Sequence, residues 1–227
     1  KNAELTAAVI VGAVRTPFGR RAGALRGVHP VTLGGLVVKE LLRRSEVSPD
    51  SVGQIIFGCA NQVNDQSSNV ARNIWLTAGL PVTTAATTLD VRCGSSEQAL
   101  HVAANLVAVG AEDVVIAGGV ESMTRVPMDA AVAEGNPRPR EYAERFQLVS
   151  QGISAQLMAD SYSISREAMD EYALRSHRLA HTATVNGALA GQLLPVEGSD
   201  GILTSDEGIR PDATLAAISK LRPAFDP

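Results

Sequence analysis

Apolar residues along the chain fall into short β-branched runs separated by helical-period segments. Ala8-Val9-Ile10-Val11-Gly12, broken by Thr16-Pro17-Phe18-Gly19, predicts a buried strand and a loop. From Pro30 to Ser45, Leu33, Leu36, Val37, Leu41 and Leu42 recur at helical spacing opposite Lys39, Glu40, Arg43 and Arg44, which predicts an amphipathic helix ended near Ser48-Pro49. Ile55-Ile56-Phe57 predicts a second strand, and residues 69–78 a second helix stopped by Gly79-Leu80-Pro81. Residues 87–91 form a third short β-branched run that leads straight into Arg92-Cys93-Gly94-Ser95-Ser96. Residues 97–109 are apolar on most faces and predict a helix buried inside the protein. Residues 113–119 then read as a nearly continuous apolar strand of a sheet covered on both faces. The alternation predicts an α/β layer domain over residues 1–123.

The pattern changes after Glu121-Ser122-Met123. Residues 124–150 carry Pro127, Pro137, Pro139 and four arginines with little periodicity, and predict an irregular excursion of the kind that often carries function. Ser165 is a predicted N-cap for a helix running to about Val185, with Glu167, Asp170 and Glu171 near its positive end. Residues 192–197 and 201–204 predict a hairpin, and 213–219 a short helix. Residues 124–227 are therefore expected to form a second, α+β domain, and the tail Leu221-Arg222-Pro223-Ala224-Phe225-Asp226-Pro227 reads as cut rather than terminated.

Composition narrows the function classes. Of 227 residues, 45% are hydrophobic and 19% charged, and 20 Lys+Arg against 24 Asp+Glu leave no basic run. That balance gives no footprint for nucleic acid or an anionic membrane surface. No apolar stretch approaches the roughly 20 residues of a membrane span, and the expected location is the cytoplasm. The two cysteines, Cys59 and Cys93, sit in different settings and argue against a disulfide scaffold.

Cys93 lies where a strand hands over to a helix, followed by Gly94-Ser95-Ser96. Amides at a helix start favour an anion, the thiolate is the nucleophilic form of cysteine, and the same amides can hold an oxyanion. The pattern points to acyl transfer through a thioester. On cysteine statistics alone a small buried hydrophobe is the commoner fate, and the strand-Cys-Gly-Ser-helix context reverses that preference. Cys59 has no helix start or basic neighbour and reads as a packing thiol.

The runs Asp90-Val91-Arg92-Cys93-Gly94-Ser95-Ser96-Glu97-Gln98-Ala99 and Gly118-Gly119-Val120-Glu121-Ser122-Met123 strongly resemble the thiolases, the acyl-CoA acyltransferases. Val14-Arg15-Thr16-Pro17-Phe18-Gly19 resembles their opening loop, and Ile164-Ser165-Arg166-Glu167 with Ala173-Leu174-Arg175-Ser176-His177 their loop-domain helix. Ser205-Asp206-Glu207-Gly208-Ile209-Arg210-Pro211 and Lys220-Leu221-Arg222-Pro223-Ala224-Phe225 resemble their later CoA-side signature. The resemblance implies a layered fold whose N-terminal βαβαβαβ half carries an inserted α+β loop domain. It implies that Cys93 accepts the acyl group and that Arg210 and Leu221 contact CoA; Ala217 stands where some members carry a serine that touches it. CoA and acyl-CoA are then substrates, with no cofactor and no metal, and the protein is a homodimer or tetramer paired along a short edge strand near residues 87–91. Ser96 and Glu97, in place of the usual glycine and glutamine or leucine, resemble the degradative, lipid- or steroid-handling branch.

The family's Gly-His-Pro histidine and Cys-x-Gly cysteine have no counterpart in these 227 residues. His29-Pro30 follows Val28 in the opening loop and reads as an exposed histidine. His101 falls on the helix expected to be buried and reads as a core residue. His177 and His181 share a helix face without an evident third ligand, so a solvated face is the better reading. Two functions remain: a thiolase cleaving 3-ketoacyl-CoA, or an inactive CoA-binding or dimer-partner module. A ketoacyl synthase-type enzyme is disfavoured by Gly118-Gly119-Val120-Glu121-Ser122-Met123.

Overall fold

The computed structural model describes residues 7–225. They form two compact units: the first comprises residues up to Glu134 together with Gly191–Glu207, and the second Gly135–Ala190 with the residues from Gly208 onward. Residues 124–134 and 191–207 thus pack with the first unit.

In the first unit, helix α1 (Pro30–Ser45) starts on a proline whose missing N–H costs nothing there, and its N-cap His29 accepts a bond from Val31 N through Nδ1. Strand β1 (Gln54–Gly58) follows, then α2 (Val70–Thr77), capped by Asn69 accepting from Arg72 N. Strand β2 (Ala85–Leu89), α3 (Ser95–Ala108) and β3 (Val115–Gly119) complete the layer. The sheet is parallel in the order β2-β1-β3, with Ile56 opposite Thr87 on one side and Ala117 on the other.

Period-two alternation sends successive β1 side chains to opposite faces. Ile55 and Phe57 join Val31, Val38, Leu42, Ile74 and Trp75 beneath α1 and α2, whereas Ile56 meets Ala99 and Ala103 of α3. Gly34 and Gly35 let α1 lie against Ile74 of α2 and Ala78, the residue that ends it. Trp75, the single tryptophan, is fully buried and donates Nε1–H to Pro81 O at 2.7 Å.

Two expectations are corrected. Residues 8–12 form no strand, and Val9 is 78% exposed. A β-branched run becomes a strand only with a hydrogen-bonding neighbour, and among the described residues 8–12 pair with none; the first pairing beyond them is the parallel bridge of Arg15 with Leu193. The helix expected to be buried all round buries only Ser95, Ala99 and Ala103; Leu100, His101 and Val109 are exposed. Small residues at four-residue spacing bring that one face down on β1 and β3. His101 is accordingly a surface residue.

The hairpin of β4 (Val196–Gly198) and β5 (Gly201–Leu203) belongs to the first unit. The second unit contains α4 (Arg140–Arg145), α5 (Gln151–Ser161), α6 (Arg166–Val185) and α7 (Leu215–Ile218). Ser165 caps α6 by accepting from Ala168 N, as expected, and Arg166 anchors that helix to the carbonyls of Ile218 and Leu221. Helix α4 falls within residues 124–150, the stretch expected to be irregular, and α5 lies just beyond it. Among the described residues no helix is long and apolar enough to cross a membrane.

Candidate active site

In open parallel sheets, ligand sites form beyond the carboxyl ends of the strands. Here those ends are Gly58, Leu89 and Gly119, and Cys93 follows β2 by four residues. The connecting turn is held tightly. Asp90 accepts from Arg92 N at 2.7 Å, and the Ser95 hydroxyl donates to Arg92 O at 2.6 Å while accepting from Val91 N at 3.0 Å. Arg92 sits at φ 57°, a left-handed conformation that costs a non-glycine residue about 1–3 kcal/mol. The bonds around it hold that conformation in place and leave Cys93 exposed in the short 3-10 turn Arg92–Gly94 that leads into α3.

Two glycines let α3 begin there. A Cβ on Gly58 would lie 2.6 Å from Ser95 Cβ, and one on Gly119 would overlap Ser96 Oγ and lie 2.9 Å from Gly58 O. Ser95 itself is buried. The strand ends must be bare for the helix carrying the cysteine to seat on the sheet.

Beside this turn lies a buried polar network. Glu121 accepts from Ala60 N at 2.9 Å through Oε2 and from Gln66 Nε2 at 2.6 Å through Oε1. Gln66, fully buried, also donates to Asn61 O at 2.9 Å and accepts from Ser122 N at 2.7 Å. Together they fasten the loop after β1 to the turn after β3. Cys59, 1% exposed, lies in this network, with Sγ 4.0 Å from Glu121 Oε2. Burial first, and the Glu121 charge second, push its thiol up to about 12. Cys59 is therefore a thiol at neutral pH, and the packing role expected of it fits.

Sequence reasoning gives Glu121, Gln66 and Ser95 no role. The available signal was a carboxylate and an amide beside apolar strands, where unpaired polar groups are costly.

The other candidates are dispersed. His29 is half-exposed, serves as the α1 cap and lies 3.8 Å from Asp65, which Arg125 holds at 2.7 Å. These histidine and aspartate side chains line a cleft of about 560 Å³ with Thr32, Ser68 and Asn73, and Cys93 is not part of it. In the second unit, His177 Nδ1 accepts from Arg210 N at 3.3 Å. The Arg210 and Leu221 side chains are both exposed. Among the described residues no group of His, Cys, Asp or Glu is arranged to hold a metal ion.

Similarity to known proteins agrees with this geometry. A 3-ketoacyl-CoA thiolase of Photobacterium profundum is 43% identical over 226 residues, covering 96% of this chain and 58% of that protein. A steroid 3-ketoacyl-CoA thiolase of Mycobacterium tuberculosis is 36% identical over 236 residues, covering 100% of this chain and 58% of that protein. The crystal structure of the Bacillus anthracis acetyl-CoA acetyltransferase superposes with a TM-score of 0.82 at 32% identity, covering 98% of this chain and 60% of that one. The chain therefore spans somewhat more than half the length of these relatives. The family model for the thiolase N-terminal domain matches residues 8–227, and with the parallel sheet and the cysteine turn in place, this chain belongs to the thiolase family.

Proposed function

We propose that this chain carries the acyl-accepting half of a 3-ketoacyl-CoA thiolase, with Cys93 as nucleophile. The observation that carries the reading is the exposed thiol on a turn fixed by Asp90 and Ser95, at the carboxyl end of a parallel sheet in a thiolase-family chain. In the cleavage direction Cys93 Sγ forms a bond to the 3-keto carbon. The bond between that carbon and the α-carbon breaks, and its electron pair leaves as the acetyl-CoA enolate, which takes up a proton. The sulfur of free CoA then attacks the Cys93 thioester, giving the shortened acyl-CoA and returning the thiol. The reverse sequence is a Claisen condensation.

Two protons must move in that cycle, and positioned acid–base groups are needed to move them. His29 is occupied as a helix cap, His101 and His181 are exposed on α3 and α6, and His177 accepts from Arg210 N. We assign these steps to the family's Gly-His-Pro and Cys-x-Gly motifs, which lie outside these residues. Arg210 and Leu221 contact CoA in this reading, Arg210 supplying a cation for its phosphates. The substrates are 3-ketoacyl-CoA thioesters of fatty-acid or steroid side-chain degradation, a reading supported by the names of the relatives. The open edge of β2 supports pairing with a second copy as a homodimer or tetramer. A free exposed cysteine suits the reducing cytoplasm.

The test is acylation. The protein is incubated with acetyl-CoA, which can acylate a thiol by thioester exchange without forming an enolate, then digested and mapped by mass, with Cys93→Ser as control. The expected adduct sits on the Cys93 peptide and is absent from the control. An adduct on Cys59, or none on Cys93 in folded protein, rejects the assignment.

A further inference from the structure

Helix α6 carries two attachments along one face, and each ends on a residue read above as a CoA contact. Arg166, Asp170, Ala173 and His177 succeed one another at steps of four, three and four residues, which places them in a single row along the helix. At the start of the row, Arg166 Nε donates to Asp170 Oδ1 at 2.8 Å, and Nη2 of the same side chain donates to Ile218 O at 3.0 Å and to Leu221 O at 3.1 Å. Asp170 is the buried residue of this helix. At the far end of the row, His177 Nδ1 accepts from Arg210 N at 3.3 Å. All of these residues belong to the second unit.

The segment that bears Leu221 is tied on both sides. Ile218 is the last residue of α7, where terminal carbonyls have no partner inside the helix, and Arg166 satisfies one of them together with the carbonyl of Leu221 itself. Further along, the Phe225 ring sits against Gly152 of α5, so closely that a Cβ on that glycine would overlap it. Between these two attachments the Leu221 side chain is 63% exposed. Arg210 shows the same combination of a held backbone and an exposed side chain.

An exposed side chain on an ordered backbone has less freedom to lose when a ligand arrives. Arg166 and His177 stand about 16 Å apart along the axis, at about 1.5 Å per residue. Contacts held at that spacing suit an elongated ligand with a polar, phosphate-bearing part for Arg210 and a less polar part for Leu221, which is the chemistry of CoA.

We propose that this row on α6 sets the CoA contacts of the second unit: Arg166, oriented by Asp170, positions Leu221, and His177 positions Arg210. This rests on the reading of Arg210 and Leu221 as CoA contacts. Arg166, Asp170 and His177 do not touch the ligand and act through the backbone of the residues that do. Lysine cannot replace Arg166, because a single ammonium cannot reach Asp170 and the two carbonyls from separate nitrogens. Asparagine can replace His177, since its side-chain oxygen is an acceptor, whereas phenylalanine keeps a ring and offers none.

The test is CoA affinity, with CoA titrated calorimetrically into the 227-residue protein and far-ultraviolet circular dichroism confirming the helices of each variant. Arg210→Ala and Leu221→Ala are each expected to weaken binding about three- to tenfold, and Arg166→Lys and His177→Phe about threefold or more. His177→Asn is expected to bind like the unaltered protein. Combining His177→Phe with Arg210→Ala, or Arg166→Lys with Leu221→Ala, should cost less than the product of the single losses. Asp170→Asn supplies a second route to the Arg166 effect should Arg166→Lys fold poorly. Absence of CoA binding, or Arg210→Ala and Leu221→Ala proteins that bind like the unaltered one, rejects the reading of those two residues and the proposal with it. Losses in Arg210→Ala and Leu221→Ala beside unchanged affinity in folded Arg166→Lys or His177→Phe overturn the positioning role and leave that reading standing. Multiplicative losses in the double variants, or a His177→Asn protein as weak as His177→Phe, do the same.

Discussion

Gly58 and Ser95 approach so closely that no side chain fits at the glycine: its Cβ would lie 2.6 Å from that of Ser95. The contact joins the end of the central strand to the first residue of α3, two positions beyond the nucleophile. Overpacking of a filled site costs about 1–3 kcal/mol. Gly58→Ala is expected to lose that much stability, read as a lower urea midpoint by the fluorescence of Trp75. A midpoint equal to that of the unaltered protein would show that α3 can lift from the sheet at no cost.

The two thiols should separate in reactivity. Cys93 is exposed and Cys59 is buried beside Glu121 with its thiol pushed up to about 12. Iodoacetamide at pH 8, followed by peptide mapping, is expected to label Cys93 in folded protein and Cys59 only after denaturant is added. Faster labelling of Cys59 would remove the basis for choosing between them.

Acid should weaken the first unit through its carboxylates. Arg43 and Arg44 hold the Glu40 carboxyl at about 2, below its usual value near 4.3. Arg15, joined by Phe18 N, holds Asp206 below the ordinary range. A carboxylate depressed in the folded state contributes stability above its unfolded value and loses it as pH falls through the folded one. Glu40→Gln is thus expected to lower the urea midpoint at pH 7 by an amount that shrinks between about pH 4.3 and 2. A difference that stays constant over that window would show that Glu40 acts through packing rather than charge.

Acylation and turnover should come apart. The four histidines of this chain are placed as a helix cap (His29), exposed residues on α3 and α6 (His101 and His181) and a backbone anchor (His177), so the enolate proton lacks a positioned partner among the described residues. Thiolysis of acetoacetyl-CoA by the 227-residue protein is expected to stay at the level of its Cys93→Ala variant. Cys93-dependent turnover at ordinary enzymatic rates would show that a base is present in this half after all.

Much of the fold is legible where local chemistry decides it. Ser165 marks the start of α6 because a hydroxyl before a helical run serves orphan N–H groups, whatever the helix later packs against. Cys93 stands out for the same reason, its strand-to-helix setting being written in ten consecutive residues. Long-range pairing is not written there. Val9, Ile10 and Val11 have the composition of a strand, yet composition does not name a partner, and the structure leaves them exposed. The α5 helix is invisible because Ile153, Leu157 and Met158 are solvent-facing and only Ala159 is buried, so no apolar stripe forms. Glu121 and Gln66 meet across 55 residues, and only the fold brings that amide to that carboxylate.

Because Gly191–Glu207 belongs to the first unit, that unit is assembled from two stretches of chain separated by Gly135–Ala190. A protease that nicks the exposed Gly135-Asn136-Pro137 segment would therefore divide the first unit between two fragments that its own internal contacts still hold together. The downstream fragment keeps the β4–β5 hairpin and Asp206, and the upstream one keeps Arg15 and Arg26, which grips Asp200 at 2.5 and 2.7 Å. The two pieces should migrate apart in a denaturing gel and travel together on a native column, making this chain a natural starting point for a split-protein reporter.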